Sequence, residues 1–356
     1  MTMILCVILV ALIFEYINGF HDTANSIATV VATKVLTPKQ AVALAAICNL
    51  VGALYGNAVA STIGKGLVDV AFVTSATIMC GLISGIIWNL ITWYFGIPSS
   101  SSHAMIGGLV GSTLAAAHGN WDVIYFTEKG GILKKVVIPM FVSPVCGIII
   151  GFVIMGFLYF LLRKWRPHTV KKVFGNLQIF SAAGMGIAHG LNDAQKTMGI
   201  ITLALVAGTA SGALDQVPDA LSFLKTTAPA EGEKMKVALW IKIMCALTMA
   251  AGTWAGGWKI IKTLGHKMVR LQPVHGFAAE TTAATVIGVA SMAGIPLSTT
   301  HVISSSIMGV GAAKRINAVK WSVVERMVWA WVFTLPVTGI LGYLLVRFGI
   351  LLGLVQ

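Results

Sequence analysis

Apolar runs long enough to cross a bilayer recur from one end of this chain to the other, and that feature narrows the folds open to it. A spanning α-helix needs about 20 consecutive, mostly apolar residues. The 356 residues are 57% hydrophobic and only 10% charged, whereas a soluble protein carries about 25% charged residues. The chain is therefore expected to be an all-α polytopic membrane protein. Its first run, Met1 to Phe14, has no basic leader and no A-x-A site and continues to Glu15 and Asp22. It reads as a retained helix rather than a signal peptide. Cys6, Cys48, Cys80, Cys146 and Cys245 lie in apolar segments without C-x-x-C spacing, and read as buried free thiols with no metal site.

A net charge of +13 would suggest nucleic acid if the basic residues were spread over a surface. They are clustered instead: Arg163, Lys164, Arg166, Lys171 and Lys172; Lys259, Lys262, Lys267 and Arg270; Lys314, Arg315 and Lys320. No acid interrupts these stretches, which flank apolar segments as cytoplasmic loops do. No nucleic-acid partner is expected; the partner is the lipid bilayer. Pinning these clusters, with Lys34 and Lys39, on the inside threads segments 1–33, 72–95, 136–162, 237–256 and 294–313 inward. Segments 40–63, 97–117, 177–210, 272–292 and 322–352 then run outward. Both termini fall outside the plasma (inner) membrane. So do the acids Asp69, Asp122, Glu128, Asp215, Asp219, Glu231 and Glu233.

Segments 1–33 and 177–210 exceed a plain crossing, and each has a Gly-containing polar motif in its middle. Broken or re-entrant helices are expected there, and about ten to twelve transmembrane segments in all. The chain divides into a first repeat, 1–162, a basic linker, 163–176, and a second repeat, 177–356, with an extracytoplasmic insertion at 211–236.

The repeat is written in two pairs of motifs. GFHDTAN (19–25) aligns with HGLNDAQ (189–195), Gly19 on Gly190 and Asp22 on Asp193; GIPSSSSH (96–103) aligns with GIPLSTTH (294–301). The threading runs matching segments in opposite directions, which predicts an inverted-topology internal repeat of the kind found in secondary transporters.

The motifs differ in chemistry. A charged aspartate at mid-membrane costs at least about 2.5–3.5 kcal/mol, so it faces a polar cavity and a partner. Two aspartates brought together need cations between them. Asp22, Thr23, Asn25 and Ser26, then Asn192, Asp193, Gln195 and Thr197, offer the oxygen ligands a sodium ion takes, with Lys196 the resident cation nearby. The alternative is that the aspartates carry protons. In the second pair, Pro98 and Pro296 disfavour helix before them and the hydroxyl residues cap the helix that follows. Free N–H groups, the positive dipole end and the hydroxyls of Ser101, Ser102, Thr299 and Thr300 then form an anion site without net charge. His103 and His301 are either structural or anion-facing; Glu15 and Glu280 are either further cation ligands or paired structural groups. Ser102 and His103 raise an intramembrane hydrolase, but neighbours on a helix point about 100° apart and the whole unit is duplicated. Buried aspartates on the pathway argue against an anion channel.

At these residues the chain resembles the inorganic phosphate transporter (PiT) family, which carries duplicated G-x-N-D-x-A-N and G-[IL]-P-x-S-x-[ST]-H motifs. GFHDTAN has His21 where Asn is usual, and HGLNDAQKT has Gln195. The resemblance extends from about residue 10 to 345. It implies a sodium- or proton-coupled phosphate symporter, often a homodimer, with no cofactor beyond the coupling ion, although the family includes sulfate carriers. It carries cation roles to Asp22, Asn25 and Asp193, and phosphate contacts to Thr23, Gln195, Ser101, Ser102, Thr299 and Thr300.

Overall fold

The computed structural model describes residues 1–65, 67–127, 131–215, 217–228 and 235–353. Among these, regular structure is helical apart from one isolated bridge between Val68 and Ile124. The α-helices are α1 (Thr2–Ala32), α2 (Pro38–Leu54), α3 (Ala58–Lys65), α4 (Ser75–Phe95), α5 (Ser101–Ala116) and α6 (Ile138–Leu162), followed by α7 (Pro167–Ala210), α8 (Leu239–Ala255), α9 (Trp258–Lys262), α10 (Pro273–Met292), α11 (Thr299–Lys314) and α12 (Trp321–Leu351). Three of the expected outside acids, Glu128, Glu231 and Glu233, lie outside the described residues.

The distribution of side chains inverts that of a soluble protein. On α6, Phe141, Val145, Ile149, Phe152 and Phe160 point outward, where lipid tails are as apolar as they are. Inside, Glu15, Asp22, Asp193, Lys196, Glu280 and His301 are each at most 2% exposed. Helix is the element that satisfies its own backbone in such surroundings. The thiols are free, but the expectation that all are buried fails: Cys6 is exposed and Cys80 and Cys146 are half-buried.

Four stretches are long and apolar enough to cross a membrane alone: Thr2–Ala32, Ser75–Phe95, Leu133–Leu162 and Trp321–Leu351. Two bent pairs, Pro38–Leu54 with Ala58–Gly64 and Leu239–Ala255 with Trp258–Lys267, raise this to six. Helices α5 and α11 have 16 residues each, short of a bilayer core of about 30 Å at 1.5 Å per residue.

The breaks are not where the glycine motifs suggested. Segment 1–33 is one helix of 31 residues, and 177–210 belongs to one of 44 that begins at Pro167, inside the basic linker. Gly19 and Gly190 permit close helix contact instead. A Cβ at Gly19 would stand 2.5 Å from the Met249 carbonyl oxygen, and one at Gly190 2.2 Å from that of Asn49. The bends lie on the partner helices, 70° between α2 and α3 and 61° between α8 and α9. There Gly56 and Gly256 hold φ of +74° and +72°, a region open to glycine and costly to other residues.

Packing survives exchange of the two halves. Helix α1 packs on α8 as α7 does on α2; α4 meets α5 as α10 meets α11; α12 lies on α5 as α6 lies on α11. Each half thus completes its core with helices of the other.

Candidate functional site

Each Gly-Ile-Pro segment turns a chain that has just ended one helix into the start of the next. Ser100 caps α5 by accepting from the His103 N–H at 3.1 Å, and Ser298 caps α11 by accepting from the His301 N–H at 3.2 Å. The hydroxyl clusters therefore do begin helices, and the first-turn N–H groups beyond the caps have no partner within the helix. The two starts meet. The Ser102 hydroxyl donates to the Leu297 carbonyl oxygen at 3.3 Å, and the rings of His103 and His301 lie 4.9 Å apart. Trp331 stacks on His301 at 4.2 Å and donates through Nε1 to the Pro98 carbonyl oxygen at 3.2 Å. One indole thus ties both starts together.

The aspartates come to the same place from the long helices α1 and α7. Asp22, His189 and Asp193 have ligand atoms all within 4.8 Å of one another. Around Asp193, the Thr299 hydroxyl donates at 3.0 Å, His189 Nε2 stands at 3.0 Å, and the Lys196 ammonium makes an ion pair. Around Asp22, His21 Nδ1 lies at 2.7 Å and the Thr300 hydroxyl donates at 3.4 Å. Asn25 donates through Nδ2 to Thr299 at 3.1 Å and to Thr300 at 2.9 Å. The amide thereby joins the aspartate motif to the hydroxyl motif of the other half.

Among the described residues, the oxygens Asn25 Oδ1, Ser26 Oγ and Ser101 Oγ are buried without a hydrogen-bond partner, as are ring nitrogens of His103, His189 and His301. Buried polar atoms are satisfied in the great majority of cases, so unsatisfied oxygens on the two motifs are candidates to receive a ligand. Carboxylate, amide and hydroxyl oxygens suit a hard monovalent cation, and the capped helix starts suit an oxyanion beside it.

Other residues singled out in the sequence have hydrogen bonds of their own. The Thr23 hydroxyl donates to the carbonyl oxygens of Gly19, at 2.5 Å, and Thr253, at 3.4 Å. Gln195 spans the α2–α3 bend, accepting from the N–H groups of Val59 at 2.9 Å and Ala60 at 3.3 Å and donating to the Tyr55 carbonyl oxygen at 3.1 Å. Asn192 donates to Ser291 at 2.7 Å and to the Ile295 carbonyl oxygen at 3.3 Å. Glu15 accepts from Thr197 at 2.5 Å; Glu280 accepts from Thr29, Ser181 and, at 3.0 Å, Gln178. Neither acid has an ion-pair partner among the described residues. Two histidines that the sequence reading left without a role, His21 and His189, contact the aspartates directly. The signal for His189 was its spacing, since residues four apart share a helix face.

Comparisons with known proteins identify the family. The family model of the phosphate transporter family matches residues 18–342. A probable low-affinity inorganic phosphate transporter of Mycobacterium bovis is 43% identical over 340 residues, 96% of this chain and 76% of its own length. One of Bacillus subtilis is 42% identical over 94% of both chains. A solved structure described as a sodium-dependent phosphate transporter superposes with a TM-score of 0.83 at 22% identity, covering 99% of this chain and all of its own, which establishes the shared fold. On these matches, and with both duplicated motifs gathered at one buried point, this multi-pass membrane chain belongs to the phosphate transporter family.

Proposed function

We propose that the chain imports inorganic phosphate by symport with a cation, sodium being favoured, through alternating access of two repeats, 1–162 and 177–356, that lie in opposite orientations with both termini outside. Phosphate is held by the hydroxyls of Ser101, Ser102, Thr299 and Thr300 and the free N–H groups of the two helix starts. The cation is held by Asp22, Asn25 and Asp193, with Ser26 beside them. Thr23, Gln195 and Asn192 shape the helices that carry these groups, and His103 and His301 hold the two starts against each other. No covalent chemistry is required of any of them, so no catalytic residue is assigned.

The observation that carries this reading is the juxtaposition: two helix starts meet beside two carboxylates, Asp22 and Asp193, with ligand atoms within 4.8 Å. A doubly charged oxyanion crosses hydrocarbon poorly, and a cation in the same pocket offsets its charge. Sodium is favoured because Thr299 and Thr300 set neutral hydroxyls on the two carboxylates and the Asn25 Oδ1 has no partner among the described residues. A proton-coupled version draws on a different observation, that Glu15 and Glu280 are wholly buried without a cation partner, since intramembrane acids of this kind serve as proton relays.

The test is labelled phosphate uptake into proteoliposomes, with inward sodium and proton gradients imposed separately. Sodium-driven uptake that is lost in Asp22→Asn and Asp193→Asn, while both variants remain folded and inserted, is the expected result. Uptake driven by protons alone moves the coupling role to the acids. Uptake of sulfate in place of phosphate keeps the architecture and reassigns the anion.

A further inference from the structure

The two halves of the site differ at one decisive position. Aligning Asp22 with Asp193 sets Asn25 opposite Lys196, and aligning the helix starts sets Ser99 opposite Leu297 and Ser102 opposite Thr300. The Lys196 ammonium, 2% exposed, donates to the Asp193 carboxylate, to the Ser102 hydroxyl and, at 2.8 Å, to the Leu297 carbonyl oxygen. One carboxylate, one hydroxyl and one backbone carbonyl are the oxygen types that hold a desolvated monovalent cation in broken-helix transporters. An ammonium group has a single positive charge and three donors, and here each donor has its own oxygen. None is left over for a substrate.

The matching place in the first half has the same kinds of group, the Asp22 carboxylate and the Thr300 hydroxyl, 3.4 Å apart. It has the neutral amide of Asn25 where the second half has an ammonium. The Oδ1 of that amide and the neighbouring Ser26 hydroxyl are buried and unpartnered. The ammonium thus fills its place in one half, while the matching place in the other has a neutral amide and two unpartnered oxygens among the described residues.

We propose that Lys196 is a tethered counter-cation. Its ammonium permanently fills one of the two cation positions that duplication created, so each phosphate travels with one mobile cation fewer than two equivalent sites would take, and the exchangeable cation binds on the Asp22 side. This rests on the cation-symport reading above and says how many of its cation positions are exchangeable. Asp193 then keeps a partner when the carrier returns empty, whereas Asp22 gains and loses one in each cycle.

The test uses the full-length protein with Lys196→Asn, which installs the residue of the matching position, and with Lys196→Met, which removes the charge and adds no ligand oxygen. Two quantities are read: the sodium-to-phosphate ratio from dual-label influx into proteoliposomes, and the slope of melting temperature against the logarithm of sodium concentration, which counts bound cations by linkage. In Lys196→Asn the expected result is a count higher by about one, with the half-saturating phosphate concentration unchanged at saturating sodium. Lys196→Met is expected to need more sodium for the same uptake. An unchanged count in folded Lys196→Asn overturns the proposal, as does an unchanged count with weakened phosphate affinity, which would make Lys196 an anion ligand. Where Lys196→Asn binds but does not transport, the melting slope decides, because it requires only folded protein. A wild-type protein indifferent to sodium, with uptake following protons, removes the sodium reading itself. A sodium-dependent wild type with an unchanged variant removes only the tethered cation.

Discussion

Ser101 isolates the anion site at the scale of one residue. Its hydroxyl is buried and has no partner among the described residues, so Ser101→Ala breaks no hydrogen bond seen there. Melting temperature is expected to stay the same while the half-saturating phosphate concentration rises about fivefold, the effect of one hydrogen bond of about 1 kcal/mol. Thr299→Ala differs in kind, because it also strips a hydrogen bond from the Asp193 carboxylate and so disturbs both ions' ligands. Saturation curves and thermal melts of the two variants separate an anion contact from a packing hydroxyl; an unchanged curve in Ser101→Ala assigns that residue to packing. The residues at the centre were legible in the sequence because carboxylates and clustered hydroxyls are conspicuous in apolar surroundings. Thr23, Gln195 and Asn192 bond to neighbouring helices and to backbone, partners that residue type alone does not give. An amide or hydroxyl one or two residues from an aspartate lies on another face of the helix, and its partner is set by whichever neighbouring helix passes that face. For Gln195 this is the bend at Tyr55 and Val59, which no local pattern announces.

At the scale of helices, glycine has two physical meanings that sequence does not separate. It allows a backbone break, and it allows two backbones to touch. The motifs around Gly19 and Gly190 suggest the first, and the structure has the second. The Pro-then-hydroxyl starts of α5 and α11 were legible because proline and the N-cap act through covalent geometry and adjacent N–H groups, without help from tertiary contacts. Close contact makes a definite prediction at Gly252 on α8, where a Cβ would stand 2.1 Å from the Tyr16 carbonyl oxygen of α1. Backbone cannot move aside as a side chain can, so Gly252→Ala is expected to destabilise by about 1–3 kcal/mol, as overpacking does. Gly156 on α6 has nothing within 4 Å of the same added atom, and Gly156→Ala is expected to leave the melt unchanged. Thermal melts in detergent compare the two directly. Equal stability of both variants would show that α1 and α8 can separate without loss.

At the scale of the whole molecule, the charge pattern has a consequence that the fold makes testable. The loops assigned inside are distant in sequence yet lie together. Thr33, Arg163, Trp165, His168, Lys171, Leu271 and Gln272 line one cavity of about 570 Å³, and the Lys320 N–H donates to the Met268 carbonyl oxygen at 3.0 Å. Segments assigned outside also meet one another. The Asp69 N–H donates to the Val123 carbonyl oxygen at 2.8 Å, the Met1 amino group to that of Ala213 at 3.3 Å, and the Met235 N–H to Ser61 at 3.1 Å. A threading derived only from the spacing of lysine and arginine therefore groups the same loops that the packing groups. Such agreement is expected when insertion obeys the positive-inside bias, because loops that stay in the cytoplasm end up on one face of the finished bundle. Sidedness itself is open to measurement. With the native cysteines replaced, including exposed Cys6, single cysteines at Lys171 and Lys314 are expected to resist an impermeant thiol reagent in intact cells and to react once the membrane is opened. One at Asp122 is expected to react from outside at once. Labelling of Lys171→Cys and Asp122→Cys from the same side would break the threading, and with it the opposite orientation of the two repeats on which alternating access depends.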